Sequence, residues 1–219
     1  MLSVVMITKD EEKAVASVIQ NIRKHAPKAE IIIVDSSRDR TPEIAALLGV
    51  KVLRQFPPKG YGRAMDLALR SASGDAIVTL DCDNTYPAEA IPDIARPILE
   101  GGFDLVDGSR LEHKPRSMPW INYLANRGFA MLASLLFLRR ITDLHSGMRA
   151  YKKSLIESLR YNPQGPALPV ELLLKPLRLG YKVKFVYIDY RERLGLSTLR
   201  PLESAWWTLR RILSVRFGK

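Results

Sequence analysis

Five short apolar runs, each separated from the next by a stretch of helical spacing, constrain this chain more than any other feature. Residues 2–7, 30–34, 51–53, 75–80 and 104–106 are rich in valine, isoleucine and leucine and are bounded by polar residues, the mark of buried strands. Between them, residues 11–25, 42–48, 63–71 and 92–99 carry apolar side chains three and four positions apart. Gly49 and Gly101 sit where a helix end favours glycine, and Asp39 or Thr41 is placed to cap the helix that begins at Pro42. The alternation predicts an α/β fold with a mostly parallel central sheet and helices on both faces.

Size and charge narrow what such a sheet can serve. A chain of 219 residues that is 47% hydrophobic buries a substantial core, and it is long for one small domain but short for two. The expected division is a single domain over residues 1–199 and an amphipathic helical extension over 200–219. Lysine and arginine number 34 against 23 acids, a formal charge of +11, which favours anionic partners: nucleotides, phosphorylated lipids, acidic membrane surfaces or nucleic acid. The single cysteine, Cys82, excludes an internal disulfide framework and fits a reducing compartment, with the cytoplasm as the default. The apolar start at residues 2–8 is too short for a secretory signal and has no basic region before it. The best apolar window, residues 129–138, falls short of the roughly 18 residues of a membrane span and is closed by Arg127, Arg139 and Arg140. No transmembrane span is expected.

Ligands of parallel α/β sheets bind outside the carboxyl ends of the strands. Those ends are polar or acidic here: Thr8 to Glu11 after the first strand, Asp35 to Ser37 after the second, and Asp81, Cys82, Asp83 after the fourth. Two carboxylates one residue apart at the end of an apolar strand can converge on one point and offer hard oxygen ligands to Mg²⁺ or Mn²⁺. A diphosphate would complete the coordination. The competing reading of the triplet is a polar turn leading into Tyr86 and Pro87.

In order along the chain, VVMITKDEE (4–12), VDSSRDRT (34–41), KGYGRAM (59–65), ASGDAIVTLDCDNTYP (72–87), VDGSR (106–110), DLHSGMRAY (143–151), VELLLKPLRLGYKV (170–183) and RLGLSTL (193–199) resemble the family 2 glycosyltransferases. Within them the pattern is most similar to the dolichyl-phosphate mannose synthase and polyprenyl-phosphate glycosyltransferase branch, and it spans residues 2–199. The resemblance implies a single nucleotide-sugar-binding domain of the GT-A type. It implies a hexose moved from a nucleotide-diphosphate sugar, with inversion at the anomeric carbon and with Asp81 and Asp83 as catalytic metal ligands.

Site residues follow from the same resemblance. Thr8 and Glu11 would contact the nucleoside part of the donor, Asp35 its base, and Lys59, beside Gly60 and Gly62, its diphosphate. Glu11 also reads simply as an acid in a helix's first turn. Arg110, Arg149 and Arg193, whose guanidinium forks suit phosphate oxygens, would hold the acceptor phosphate or the departing diphosphate, together with Asp143 and Ser197. Each arginine alone reads equally as a solvated charge, and Asp143 can instead orient one of them. His145 has no family role and reads as a structural histidine. The chain departs from the pattern at three places: Ser36 replaces a second aspartate, Asn84 and Thr85 stand where relatives have a glutamine, and Thr198 replaces a lysine.

The acceptor divides the remaining readings. A polyprenyl phosphate is already anionic and needs no general base, whereas a hydroxyl acceptor needs a carboxylate within hydrogen-bond reach. No independent signature of such a base is present, which leans toward phosphate. Two stretches, 118–138 with Trp120, Tyr123, Phe129 and Phe137, and 199–217 with Trp206, Trp207, Arg210 and Arg211, combine aromatic, apolar and basic residues as interfacial helices do, although such faces also pack on a protein's own core. The expectation is a peripheral enzyme on the cytoplasmic face of a membrane, with no nucleic-acid partner. The alternatives are a transferase of the same fold using a small phosphorylated acid or a glycan hydroxyl, and a basic module that binds membranes or nucleic acid without catalysis.

Overall fold

The computed structural model describes residues 1–194 and 201–218. Its strands and helices run in the order β1 (Leu2–Thr8), α1 (Val15–His25), β2 (Glu30–Asp35), α2 (Thr41–Leu47), β3 (Lys51–Arg54), α3 (Tyr61–Ser71), β4 (Ala76–Thr79), α4 (Ile91–Leu99), β5 (Leu105–Ser109), α5 (Trp120–Phe137), β6 (Arg149–Lys152), α6 (Lys153–Ser158), α7 (Leu168–Arg178), β7 (Val183–Tyr187) and α8 (Pro201–Phe217). Seven strands form one sheet in the order β3-β2-β1-β4-β6-β5-β7. All pairings are parallel except those of β6, which is antiparallel to both β4 and β5.

Period-two alternation in the strands divides the core into two layers. Val4, Met6, Ile31, Ile33 and Val78 pack with α1 and α4, while Val5, Ile32, Val34 and Ile77 pack with α3, α7 and α8. Helices therefore cover both faces, as the alternation predicts. The five expected strands are present, four with ends within a residue of those expected and β5 running three residues further, to Ser109. β6 and β7 are additional, and α1 begins at Val15 rather than at residue 11, leaving Glu11 on the loop between β1 and α1. The left-handed glycine after α4 is Gly102, φ 67°, rather than Gly101. At α2 the expected cap takes another form: Asp39 Oδ1 accepts hydrogen bonds from the Thr41 amide and hydroxyl, and Gly49, φ 66°, ends the helix.

The chain builds outward from β1 through β2 to β3, then α3 returns it across the sheet to β4 on the other side of β1. This reversal opens a crevice above the carboxyl ends of β1 and β4, where such sheets hold ligands. α8 closes the opposite layer: Ile212 and Val215 are buried, and Arg211 pairs with Glu171 of α7.

Candidate active site

The crevice is built from loops tied to one another by side chains. Asp35, wholly buried, accepts a hydrogen bond from Thr8 Oγ1 at 2.7 Å and from Ser37 Oγ at 2.6 Å, and pairs with Arg54. Ser37 Oγ accepts from the Asp10 amide, and Thr41 Oγ1 from the Glu11 amide at 2.9 Å. The β1 and β2 loops thus hold each other in place, with Thr8 and Asp35 as the buried pin. Beside them Phe56, half exposed, lies under the guanidinium groups of both Arg38 and Arg54, each 5.8 Å from the ring centre. A flat aromatic face with two cations is suited to stacking and to an anion. No pattern in the sequence marks Phe56 or Arg54.

Asp81 and Asp83 follow β4 at the switch point. Asp83 is almost fully buried; its Oδ1 accepts from the Thr85 amide at 3.0 Å and the Thr85 hydroxyl at 2.5 Å, and its Oδ2 lies 3.1 Å from Arg193 Nη1. Asp81 is partly buried, and no hydrogen-bond donor faces it among the described residues. Burial first, and the Asp83 charge second, push its carboxyl up to about 7, against the opposing charges of Arg110 and Arg193. Gly147 makes room for it: a Cβ on that residue would stand 2.8 Å from Asp81 Oδ2. Two crowded hard-oxygen donors, one without a protein partner, fit a divalent cation, with a ligand or solvent supplying the other positions. The described residues offer no cluster of three or more candidate metal ligands.

Around this pair the other expected residues divide into two groups. Arg193 joins the site from beyond β7, its Nη2 2.9 Å from Glu11 Oε1, while the backbone of 191–194 bonds to the carbonyls of Thr85 and Asp83. Burial raises Glu11 to about 7, with Arg193 opposing. Arg110, nearly buried, pairs with Asp143 through Nε at 2.7 Å and Nη2 at 3.0 Å, and stacks over Tyr190. Burial alone would raise Asp143, but the charge and hydrogen bonds of Arg110 bring it below the usual carboxylate range. Asp143 therefore orients an arginine, one of the two roles open to it from the sequence.

Arg149 sits beneath the site. It is 1% exposed, paired with Asp107 across β5 and β6 at 2.5 Å, and donates to the carbonyls of Pro169 and Leu144. These bonds give it the position of a strut, with its guanidinium occupied by Asp107 and two carbonyls, where the resemblance implied a hold on the acceptor phosphate or the departing diphosphate. Lys59 is exposed in the loop before α3, and Ser197 lies outside the described residues. His145 Nε2 lies 2.8 Å from Thr208 Oγ1 of α8, a structural contact that satisfies one of its two ring nitrogens.

A mostly parallel α/β sheet with an acidic pair at its switch point and arginines facing that pair has the form of a GT-A-type transferase domain. The chain belongs to glycosyl transferase family 2, whose profile matches residues 3–160, and it is a glycosyltransferase. It is 40% identical over 201 residues to a dolichyl-phosphate hexose transferase of Haloferax volcanii, covering 91% of this chain and 87% of that one. It is 34% identical over 155 residues, 67% of this chain and 44% of the relative, to a dolichol-phosphate mannosyltransferase of Pyrococcus furiosus. Among solved structures, glucosyl-3-phosphoglycerate synthase from Mycobacterium tuberculosis in complex with Mn²⁺, uridine diphosphate and phosphoglyceric acid superposes with a TM-score of 0.78 at 25% identity, covering 100% of this chain and 79% of that one. No helix among the described residues is long and apolar enough to cross a membrane.

Proposed function

We propose that this chain moves a hexosyl group from a nucleoside diphosphate sugar to a polyprenyl phosphate at the cytoplasmic face of a membrane, using Mg²⁺ or Mn²⁺ held at Asp81 and Asp83. The bound cation would supply Lewis-acid stabilisation of the negative charge on the leaving diphosphate. Thr8, Glu11 and Asp35 would seat the nucleoside end of the donor, with Lys59 and Arg193 toward its phosphates. An acceptor phosphate oxygen attacks the anomeric carbon, the bond from that carbon to the diphosphate breaks, and the nucleoside diphosphate leaves with the electron pair. Direct displacement of this kind inverts the anomeric centre.

One observation supports the choice of acceptor: three buried or part-buried carboxylates around the Asp81 and Asp83 pair are engaged by arginines, Asp143 by Arg110, Glu11 by Arg193 and Asp35 by Arg54. A hydroxyl acceptor needs a carboxylate free to take its proton. A phosphate acceptor needs cations and positioning, which Arg110 and Arg193 supply. The names of the Haloferax and Pyrococcus relatives support the same class of acceptor. A small phosphorylated acid is the second reading, favoured by the likeness to the phosphoglyceric-acid complex.

The test is transfer of labelled sugar with Mn²⁺ and either a short-chain polyprenyl phosphate or 3-phosphoglycerate. Product that partitions into organic solvent and is labile to mild acid is expected. Purely aqueous product would transfer the assignment to the phosphorylated acid. Replacing Asp81 and Asp83 by asparagine is expected to remove metal-dependent donor uptake and to lower turnover by a factor on the order of a hundred or more.

A further inference from the structure

One side of α5 is left uncovered. Ile121, Leu124, Met131, Leu135 and Leu138 are 63% to 85% exposed and, with Gly128 between them, recur at alternating spacings of four and three, opposite the buried Ala130 and Ala133. Against the middle of this stripe lies a pocket of about 330 Å³ whose walls include Arg127, Met131, Arg140, Ile141, Thr142 and Tyr187. Arg127 gives one N–H to the Leu111 carbonyl and Arg140 gives one to the Tyr187 hydroxyl, so each retains further donors. The Thr142 hydroxyl is buried with no hydrogen-bond partner among the described residues. No acid among the described residues lines the pocket.

We infer that this pocket receives the phosphate of an anionic phospholipid headgroup while the lipid's apolar part lies along the α5 stripe. Two guanidinium groups and an unpartnered hydroxyl match phosphate oxygens, and the neighbouring leucines, methionine and isoleucine match acyl chains. A second copy of the chain is the poorer occupant, since it brings a net charge of +11 against Arg127 and Arg140. Arg127 holds the carbonyl of the residue after Arg110, so a lipid seated here fixes the strand-end segment that carries Arg110 relative to the bilayer. The inference deepens the membrane part of the proposed function and rests on it; the donor chemistry is not involved.

Flotation of the full chain with vesicles of phosphatidylcholine, with and without phosphatidylglycerol, tests it. Phosphatidylglycerol is expected to strengthen binding, and Arg127→Gln with Arg140→Gln to weaken that binding about thirtyfold, as two basic side chains at a membrane surface would. Lys24→Gln with Lys28→Gln removes the same charge from the opposite face of the sheet and is expected to change binding by less than about twofold. Arg127→Lys with Arg140→Lys keeps charge without the fork and is expected to bind between wild type and the glutamine pair, which separates loss of the site from loss of folding. Equal weakening by the arginine and lysine pairs would overturn the pocket in favour of diffuse charge. Displacement from vesicles by soluble glycerol phosphate would assign the pocket to a free phosphate instead, and self-association without lipid that Leu135→Ser abolishes would assign the stripe to a second copy. Equal binding to neutral and anionic vesicles overturns the headgroup pocket alone, whereas no binding to any vesicle with turnover intact in detergent removes the membrane reading with it.

Discussion

Arg193 Nη1 lies 3.1 Å from Asp83 Oδ2, so a residue beyond the last strand neutralises one member of the acidic pair at the centre of the sheet. Its other terminal nitrogen holds Glu11, which makes the guanidinium the counter-charge for two carboxylates at once. Arg193→Ala is expected to lower the stability of the metal-free protein by about 1 kcal/mol, a modest figure because the side chain is one-third exposed and screened. The same change leaves Asp83 with no competing cation, so Mn²⁺ is expected to bind several-fold more tightly even as turnover falls. Calorimetric titration with Mn²⁺ alone decides the point; unchanged or weaker affinity would mean that Arg193 does not neutralise Asp83 in solution.

Gly147 and Asp81 are in contact because glycine has no side chain there. A Cβ at 147 would come 2.8 Å from Asp81 Oδ2, closer than real Cβ contacts allow, and 3.1 Å from its Cγ. Gly147→Ala is therefore expected to turn the Asp81 carboxylate away from Asp83. Because the yielding group is a side chain rather than packed backbone, the melting temperature should move by only a few degrees. Metal-dependent donor binding should fall at least about tenfold, in the range of changes that disturb ligand orientation. Parallel thermal denaturation and nucleotide titration distinguish this from unfolding.

Local pattern made the parallel half of the sheet legible. Val4 and Met6 alternate with Val5 against opposite layers, and a run like Ile31 to Val34 has few other uses than a strand buried on both faces. β6 escaped because it is only four residues long and begins with Arg149, a charge that belongs in a strand only when Asp107 meets it across the sheet. β7 alternates valine, lysine and phenylalanine at the sheet edge, a weak signal beside its motif neighbours. In the site, Asp81 and Asp83 were legible because only Cys82 separates them in the chain. The partners of Glu11, Asp35 and Asp107 are arginines brought up by tertiary folding, and no period in the sequence encodes such pairings.

Arg149 and Arg110 are separated by function in a way that mutation can read. Arg149 and Asp107 are both buried, and burial raises Asp107 to about 6 even with Arg149 opposing it. Removing one partner of such a pair strands the other charge, so Arg149→Met is expected to cost about 3–5 kcal/mol of stability. Arg110→Lys keeps the positive charge beside Asp143 but loses the two-pronged contact, and is expected to cost less stability while lowering turnover on phosphate acceptors. Urea denaturation set against steady-state kinetics checks both. The assignment fails if Arg149→Met leaves stability within about 0.5 kcal/mol of wild type.

His145 couples the crevice side of the molecule to α8 and sets part of the acid limit of stability. Burial brings its imidazole down to about 4, with Asp143 opposing that shift and Arg110 and Arg149 adding to it. Nδ1 is buried without a partner among the described residues, and Nε2 meets Thr208, so a second ring proton finds no acceptor among them at Nδ1. Since the folded value lies below the ordinary 6.5, the unfolded chain takes up the proton first. Stability from this group is complete above about pH 6.5 and is lost as the pH falls through about 4. His145→Gln, which has no titrating ring, is expected to flatten the pH dependence of unfolding across that window by up to about one proton, the number read from the slope of stability against pH. An unchanged slope would mean that the imidazole is already charged in the native state, with Nε2 donating to Thr208 Oγ1.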